Sequence, residues 1–270
     1  APAATPANET TEPKSTESKS TEPKSHGEVE SSKHAHRSLN EKAEMSADRP
    51  ELTVSSHTMR KGRAQLEVDF EYEREQRDGE TVTRVVAPSA LLRMGVTDNL
   101  ELRVASNLLV FEGSQSGLTN AAVGGKWNIV EAHASPSWGL LAQATLPAGN
   151  PALRAEQTQY QFSVLTDFAI TEDLEARLNV GAATSGPLNN HRFDPTGGLA
   201  LFTQLGNNVE VHAEYGVLPA NRLRGSVGQV VDVGVAFMID KTFQIDLALF
   251  KGLSGDIYNW NGVFGFAKKF

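Results

Sequence analysis

The sequence predicts an all-β protein: a 12-stranded antiparallel transmembrane β-barrel preceded by a disordered amino-terminal tail. Three observations predict it. Extended segments with apolar/polar alternation recur about every 17 residues from Gly62 onward, and no helical period intervenes. Each segment has at least ~10 residues, longer than strands in water and enough for a tilted strand to cross a bilayer. Short turns alternate with longer polar loops, and the last segment ends the chain on alternating aromatics.

The tail comes first. Thr11–Ser15, Thr16–Ser20 and Thr21–Ser25 are three copies of one pentapeptide, and apolar residues larger than Ala are nearly absent before Met45. Such a stretch cannot offset its ordering entropy by burial, so residues 1–47 read as a disordered, low-complexity periplasmic tail and 48–270 as the barrel. The tail could tether, contact an envelope partner, plug the lumen or hang free. A start at Ala1-Pro2-Ala3-Ala4 suits a mature chain whose signal has been cut off.

The predicted strands are 62–74, 81–95, 99–109, 118–130, 136–147, 157–170, 174–184, 195–205, 208–218, 227–239, 242–252 and 259–270. In the first, Leu66, Val68, Phe70 and Tyr72 alternate with Gln65, Glu67, Asp69 and Glu71. In the ninth, Val209, Val211, Ala213 and Tyr215 alternate with Glu210, His212 and Glu214. An even strand count places both termini at the short-turn end, which in outer-membrane barrels is periplasmic. It also sets the last strand beside the first, with Lys269 near Gln65 and Glu67.

Following the alternation, the lumen receives Glu67, Asp69, Glu71, Glu101, Asp167, Glu175, Glu210, Glu214, Asp232 and Asp246, with His212 and with Arg93, Arg103, Lys126, Arg177 and Lys269. A three-residue turn would set Arg93 opposite Glu101, and the same count sets Asp167 opposite Arg177. These charges read either as a structural network filling the barrel or as the lining of a narrow channel. The acidic surplus then predicts cation preference. His212, between Glu210 and Glu214, could bind a metal or act as an acid/base, but reads more simply as part of the network, so no metal or cofactor is assigned.

Composition excludes several classes. The chain has no Cys, so no thiolate site; no apolar run is long enough for a transmembrane helix; and no basic block marks a nucleic-acid surface. No phosphate loop, dinucleotide fingerprint or metal motif appears. The one candidate catalytic rim, Asn189 to Asp194 with Ser185, reads as a polar loop, so the chain is not expected to be an enzyme.

Two resemblances follow. Phe264, Phe266 and Phe270 on the last strand resemble the carboxy-terminal assembly signal of outer-membrane proteins, which implies contact with lipid and with the barrel assembly machinery. Ala47 to Pro50, Gly62 to Glu67, Pro88 to Arg103, and Asn120 to Trp127 with Gly124 and Lys126 resemble the "meta-pathway of phenol degradation" outer-membrane family. The resemblance implies a transporter-like barrel. The expected function is a narrow channel for small solutes, and the alternative is a closed scaffold whose tail or loops bind an envelope partner.

Overall fold

The computed structural model describes residues 45–77, 79–130, 135–185, 192–219, 227–255 and 257–270. Twelve strands follow one another: β1 (Ala64–Arg77), β2 (Glu80–Thr97), β3 (Leu100–Glu112), β4 (Gln115–Val130), β5 (Ser137–Gly149), β6 (Gln159–Ala169), β7 (Leu174–Ser185), β8 (Arg192–Gln204), β9 (Val209–Leu218), β10 (Gly228–Asp240), β11 (Phe243–Ser254) and β12 (Trp260–Lys269). Each pairs antiparallel with its sequence neighbours, and β12 pairs with β1 to close the ring. Closure is what lipid demands, since an open strand edge would leave backbone groups without partners. The expectation of a 12-stranded barrel is borne out.

Side-chain alternation sorts the faces. Along β12, Trp260 and Phe264 are exposed outward while Asn261, Val263, Gly265 and Ala267 are buried inward. Exposed aromatics gather at two levels of the outer wall. Trp127, Trp138, Phe237 and Phe270 lie toward the short-turn end, and Tyr160, Phe193 and Trp260 toward the long-loop end. Two such belts are where amphipathic rings settle at membrane interfaces.

Register departs from simple counting at several places, two of which bear on the lumen's charges. Lys269 pairs with Gln65, as the strand count requires. Arg93, however, pairs with Arg103, and Glu101 pairs with Gly95, because β2 runs on to Thr97 and the turn is the two residues Asp98 and Asn99, not the three-residue turn 96–98 that would set Arg93 opposite Glu101. Asp167 does lie directly opposite Arg177. The second departure is a shift between Asp69 and Glu71 of β1, where the partner strand carries Pro88. Proline has no N–H for the ladder, so it is accommodated in a bulge.

Of the tail expected over residues 1–47, residues 1–44 lie outside the described residues, and the described chain from Met45 to β1 enters the barrel. Met45 and Ala47 pack on Ala267 and Met238 at the short-turn end. From there the chain climbs to Leu52, which reaches the cluster of Val230, Phe250 and Val263. It then returns to the mouth, where Thr58 Oγ1 donates to the Asp98 carbonyl at 3.0 Å. Residues 45–60 thus form a re-entrant segment inside the lumen. Four inward glycines make room for it. A Cβ on Gly95 would stand 2.1 Å from the Arg60 carbonyl oxygen, and one on Gly198 or Gly216 would meet Thr53 or Leu52 at 2.8 or 2.9 Å. At Gly139 it would meet the Ser56 carbonyl oxygen at 3.1 Å.

Candidate functional site: the lumen and its inserted segment

A segment without helix or strand must find partners for its backbone inside the barrel. The wall supplies them as side chains. Glu67 accepts from Asp48 N–H at 3.0 Å, Glu214 from Thr53 at 2.8 Å, and Asn179 from Val54 at 2.6 Å. Asp167 accepts from Ser56 at 2.7 Å and Glu101 from Met59 at 2.8 Å. Four of these five acceptors are carboxylates, so the bonds are of the stronger charge-assisted kind. Wall donors answer the segment's carbonyls: Arg93 to Ser46 at 2.6 Å, Lys126 to Ser55 at 3.1 Å, and Asn128 to Ser56 at 3.0 Å.

The segment also supplies charge. On β2, β3 and β4, Arg93, Arg103 and Lys126 face only two wall carboxylates within salt-bridge range, Glu67 and Glu101. Asp48 completes the cluster. It lies 2.8 Å from Lys126 Nζ and 3.4 Å from Arg93 Nη1, and also pairs with Arg103. Burial alone would push the Asp48 carboxyl up, but the charges of Arg93, Lys126 and Arg103 together overcome it and hold the group well below the usual carboxylate range. Farther round, Arg177 binds Asp167 at 2.8 Å, pairs with Glu51 of the segment, and lies 4.2 Å over the Phe202 ring. Arg49 of the segment binds Asp69 at 3.1 Å.

All sixteen predicted lumen residues lie on the inward face. Glu67, Asp69, Arg93, Glu101, Arg103, Lys126, Asp167, Glu175, Arg177, His212, Glu214, Asp232 and Asp246 are buried. Glu71, Glu210 and Lys269 are half-buried. Phe264 and Phe270 are exposed on the outer wall, and Phe266 lies half-exposed between them. Asp48, Arg49, Glu51 and the backbone donors of residues 53–59 are functional groups that alternation does not find. The inward glycines are the local signal for them, since a glycine inside a strand marks close approach of another backbone. Of the candidate rim Asn189 to Asp194, residues 189–191 lie outside the described residues, and Arg192 to Asp194 begin β8, where Arg192 binds Asp194 at 3.0 Å.

Among the described residues, a cavity lies at each end of the lumen. One of about 510 Å³ opens at the short-turn end and is lined by Glu51, Glu175, Arg177, Phe202 and Glu210, among others. The other, of about 280 Å³, lies at the long-loop end between Glu73, Glu75, Gln159, Gln161 and Tyr258. Residues 45–60 fill the level between them.

The family follows from the whole barrel. A family model described as "Putative MetA-pathway of phenol degradation" matches residues 47–270. The chain belongs to this family. The match begins at residue 47, within the lumenal segment. Among solved structures, an outer-membrane channel from Pseudomonas putida F1 has a similar fold, with a TM-score of 0.58 at 13% identity, covering 83% of this chain and 100% of that one. The NanC porin is similar at a TM-score of 0.54 and 8% identity, covering 75% and 98%. A comparison with curated protein sequences finds no match.

His57 is expected to make the lumenal segment of this chain sensitive to pH. Burial lowers its proton affinity, Arg177 and Lys126 act the same way, and the opposing charges of Asp167 and Asp48 do not compensate. A group that is held neutral in the seated state supports seating fully above its ordinary value, near 6.5, and that support is lost as pH falls below it. Amide exchange of Thr53 and Ser56, corrected for intrinsic rate, is therefore expected to be faster at pH 5.5 than at pH 7.5. In His57→Gln that difference should shrink; an unchanged pH dependence there would assign it to other groups.

Proposed function

We propose that the chain is an outer-membrane channel for small solutes, held closed by residues 45–60 and selective for cations. The observation that carries this is the pair of polar vestibules, one at each end of the barrel, with residues 45–60 between them held largely by hydrogen bonds and ion pairs to the wall. Apart from the apolar contacts of Met45, Ala47 and Leu52, the segment is held by hydrogen bonds and ion pairs, which water can replace as the segment leaves. Cation preference rests on the uneven lumen. The basic residues of β2–β4 are matched by Asp48, Glu67 and Glu101. Across the ring, Glu210, Glu214, Asp232 and Asp246 of β9–β11 face the lumen, with no Lys or Arg among the inward-facing residues of those strands.

Short turns and both chain ends are assigned to the periplasmic side by the loop asymmetry. Phe264, Phe266 and Phe270 on the lipid-facing side of β12 suit recognition by the barrel assembly machinery. Single-channel recordings of the full chain and of Asp48→Ala in planar bilayers test the reading. Rare openings in the first, frequent openings in the second and a cation-selective reversal potential are expected. Anion selectivity would overturn the charge argument. No current in either protein would favour the second reading, a closed barrel whose chain ahead of Met45, joined at the short-turn mouth, binds an envelope partner. The filled lumen is the observation behind that reading.

A further inference from the structure

His212 and Glu214 stand two residues apart on β9, so they share the lumenal face, and Asp232 of β10 is the direct cross-strand partner of Glu214. All three are buried, at 7%, 4% and 3% exposure. Two carboxylates directly opposite each other on one face repel. On β1 to β4 and on β6 and β7 the buried carboxylates Glu67, Asp69, Glu101 and Asp167 are each matched by an Arg. Here, among the described residues, no Arg or Lys lies within salt-bridge range of either Glu214 or Asp232.

The hydrogen-bond account is equally incomplete. Thr53 N–H occupies one oxygen of Glu214 and fixes its orientation. Its other oxygen, both oxygens of Asp232 and Nε2 of His212 are buried without a hydrogen-bond partner. That is four unmatched acceptor or donor atoms in one place, each costly in a protein interior. One ligand atom from each residue can be chosen so that all three lie within 4.8 Å of one another. His212 Nε2 and Asp232 Oδ1 are already 3.3 Å apart. Two ligands bonded at about 2.0–2.2 Å to one metal ion lie about 2.8–3.6 Å apart at tetrahedral to octahedral angles.

The imidazole is placed by the fold. Its cross-strand partner is Gly234, and a Cβ there would come within 2.4 Å of both Cε1 and Nε2. Phe202 flanks the ring at a centroid distance of 5.5 Å. Phe202, Glu210 and Ala236, the neighbours of the cluster toward the short-turn end, line the vestibule there, which gives an ion a route in.

We propose that His212, Glu214 and Asp232 form a binding site for a divalent transition-metal ion of the zinc or cobalt class in the wall of the lumen. One imidazole and two carboxylates form a donor set suited to these ions, and three protein ligands leave further positions for solvent. The ion supplies the positive charge that this part of the wall lacks. It can bind while the lumenal segment is seated, because Thr53 and the metal use different oxygens of Glu214.

The test is titration of the purified, folded full-length protein with Zn²⁺ by calorimetry and with Co²⁺ by visible absorption. One ion per chain is expected, with cobalt bands typical of mixed nitrogen and oxygen ligation. Asp232→Asn, which keeps the shape of the side chain, and His212→Ala should each weaken binding by more than about tenfold. Gly234→Ala, which displaces the ring without removing a ligand, should weaken it too. Absence of binding to the wild-type chain overturns the proposal, a result independent of whether any variant folds. Retention of wild-type affinity in folded Asp232→Asn overturns it as well, and would place the ion on other histidines or carboxylates.

Discussion

Asp48→Ala is expected to unseat residues 45–60 while leaving the barrel closed. The carboxylate is buried among Arg93, Arg103 and Lys126. Removing it leaves three buried cations with only Glu67 and Glu101 as wall partners. Breaking such a group by deleting one member costs about 3–5 kcal/mol. The barrel need not bear that cost by unfolding, because water can reach the cations once the segment leaves. The effect should therefore appear as local opening. Amide exchange of Thr53, Ser56 and Met59, whose N–H groups donate to wall side chains, should speed up from some hundredfold to a few thousandfold, the equivalent of that energy. Adding Lys126→Met restores two cations against two carboxylates and should recover more than half of the protection. Unchanged exchange in Asp48→Ala would show that the cluster does not hold the segment.

Arg177→Met is the second large effect and should destabilise the wall as well as the segment. The guanidinium binds Asp167 and Glu51, reaches Glu175 at 3.5 Å and the Thr53 carbonyl at 3.3 Å, and covers the Phe202 ring. Methionine keeps the apolar stem over Phe202 but strands three carboxylates in a buried place. A loss of about 3–5 kcal/mol is expected in urea unfolding from lipid vesicles, followed by the fluorescence of Trp127, Trp138 and Trp260. Arg177→Lys should recover less than half, since an ammonium cannot make the forked contacts of a guanidinium. A loss below about 1 kcal/mol would mean that water enters and hydrates the acids, and would undercut the view of a dry network.

Much of the barrel was legible because strand alternation is a local property. Period two decides inward from outward without any knowledge of neighbours, and it put Glu67, Glu101, Asp167 and Glu214 in the lumen. Even the pairing of Lys269 with Gln65 followed from counting strands in a closed ring. Counting failed at Arg93 because β2 continues to Thr97 and turns at Asp98-Asn99, later than the three-residue turn 96–98 that the count assumed. The ion pair forms regardless: Arg93 Nε still reaches Glu101 at 2.9 Å, because a long side chain spans the diagonal.

The lumenal segment was not legible in the same way. Asp48 marked only a composition boundary, and its partners Arg103 and Lys126 lie 55 and 78 residues further on. Residues 45–60 have no alternation of their own, because each residue answers a different strand of the wall. Sequence alone settles the number of strands, their faces and the ring they close, since these follow from a repeat two residues long and from lipid's refusal of open edges. Only the tertiary structure decides that the lumen is filled, that wall carboxylates bind a backbone, and that His212, Glu214 and Asp232 are left without partners. Those outcomes depend on which groups far apart in sequence meet inside a closed space, and no local pattern encodes that.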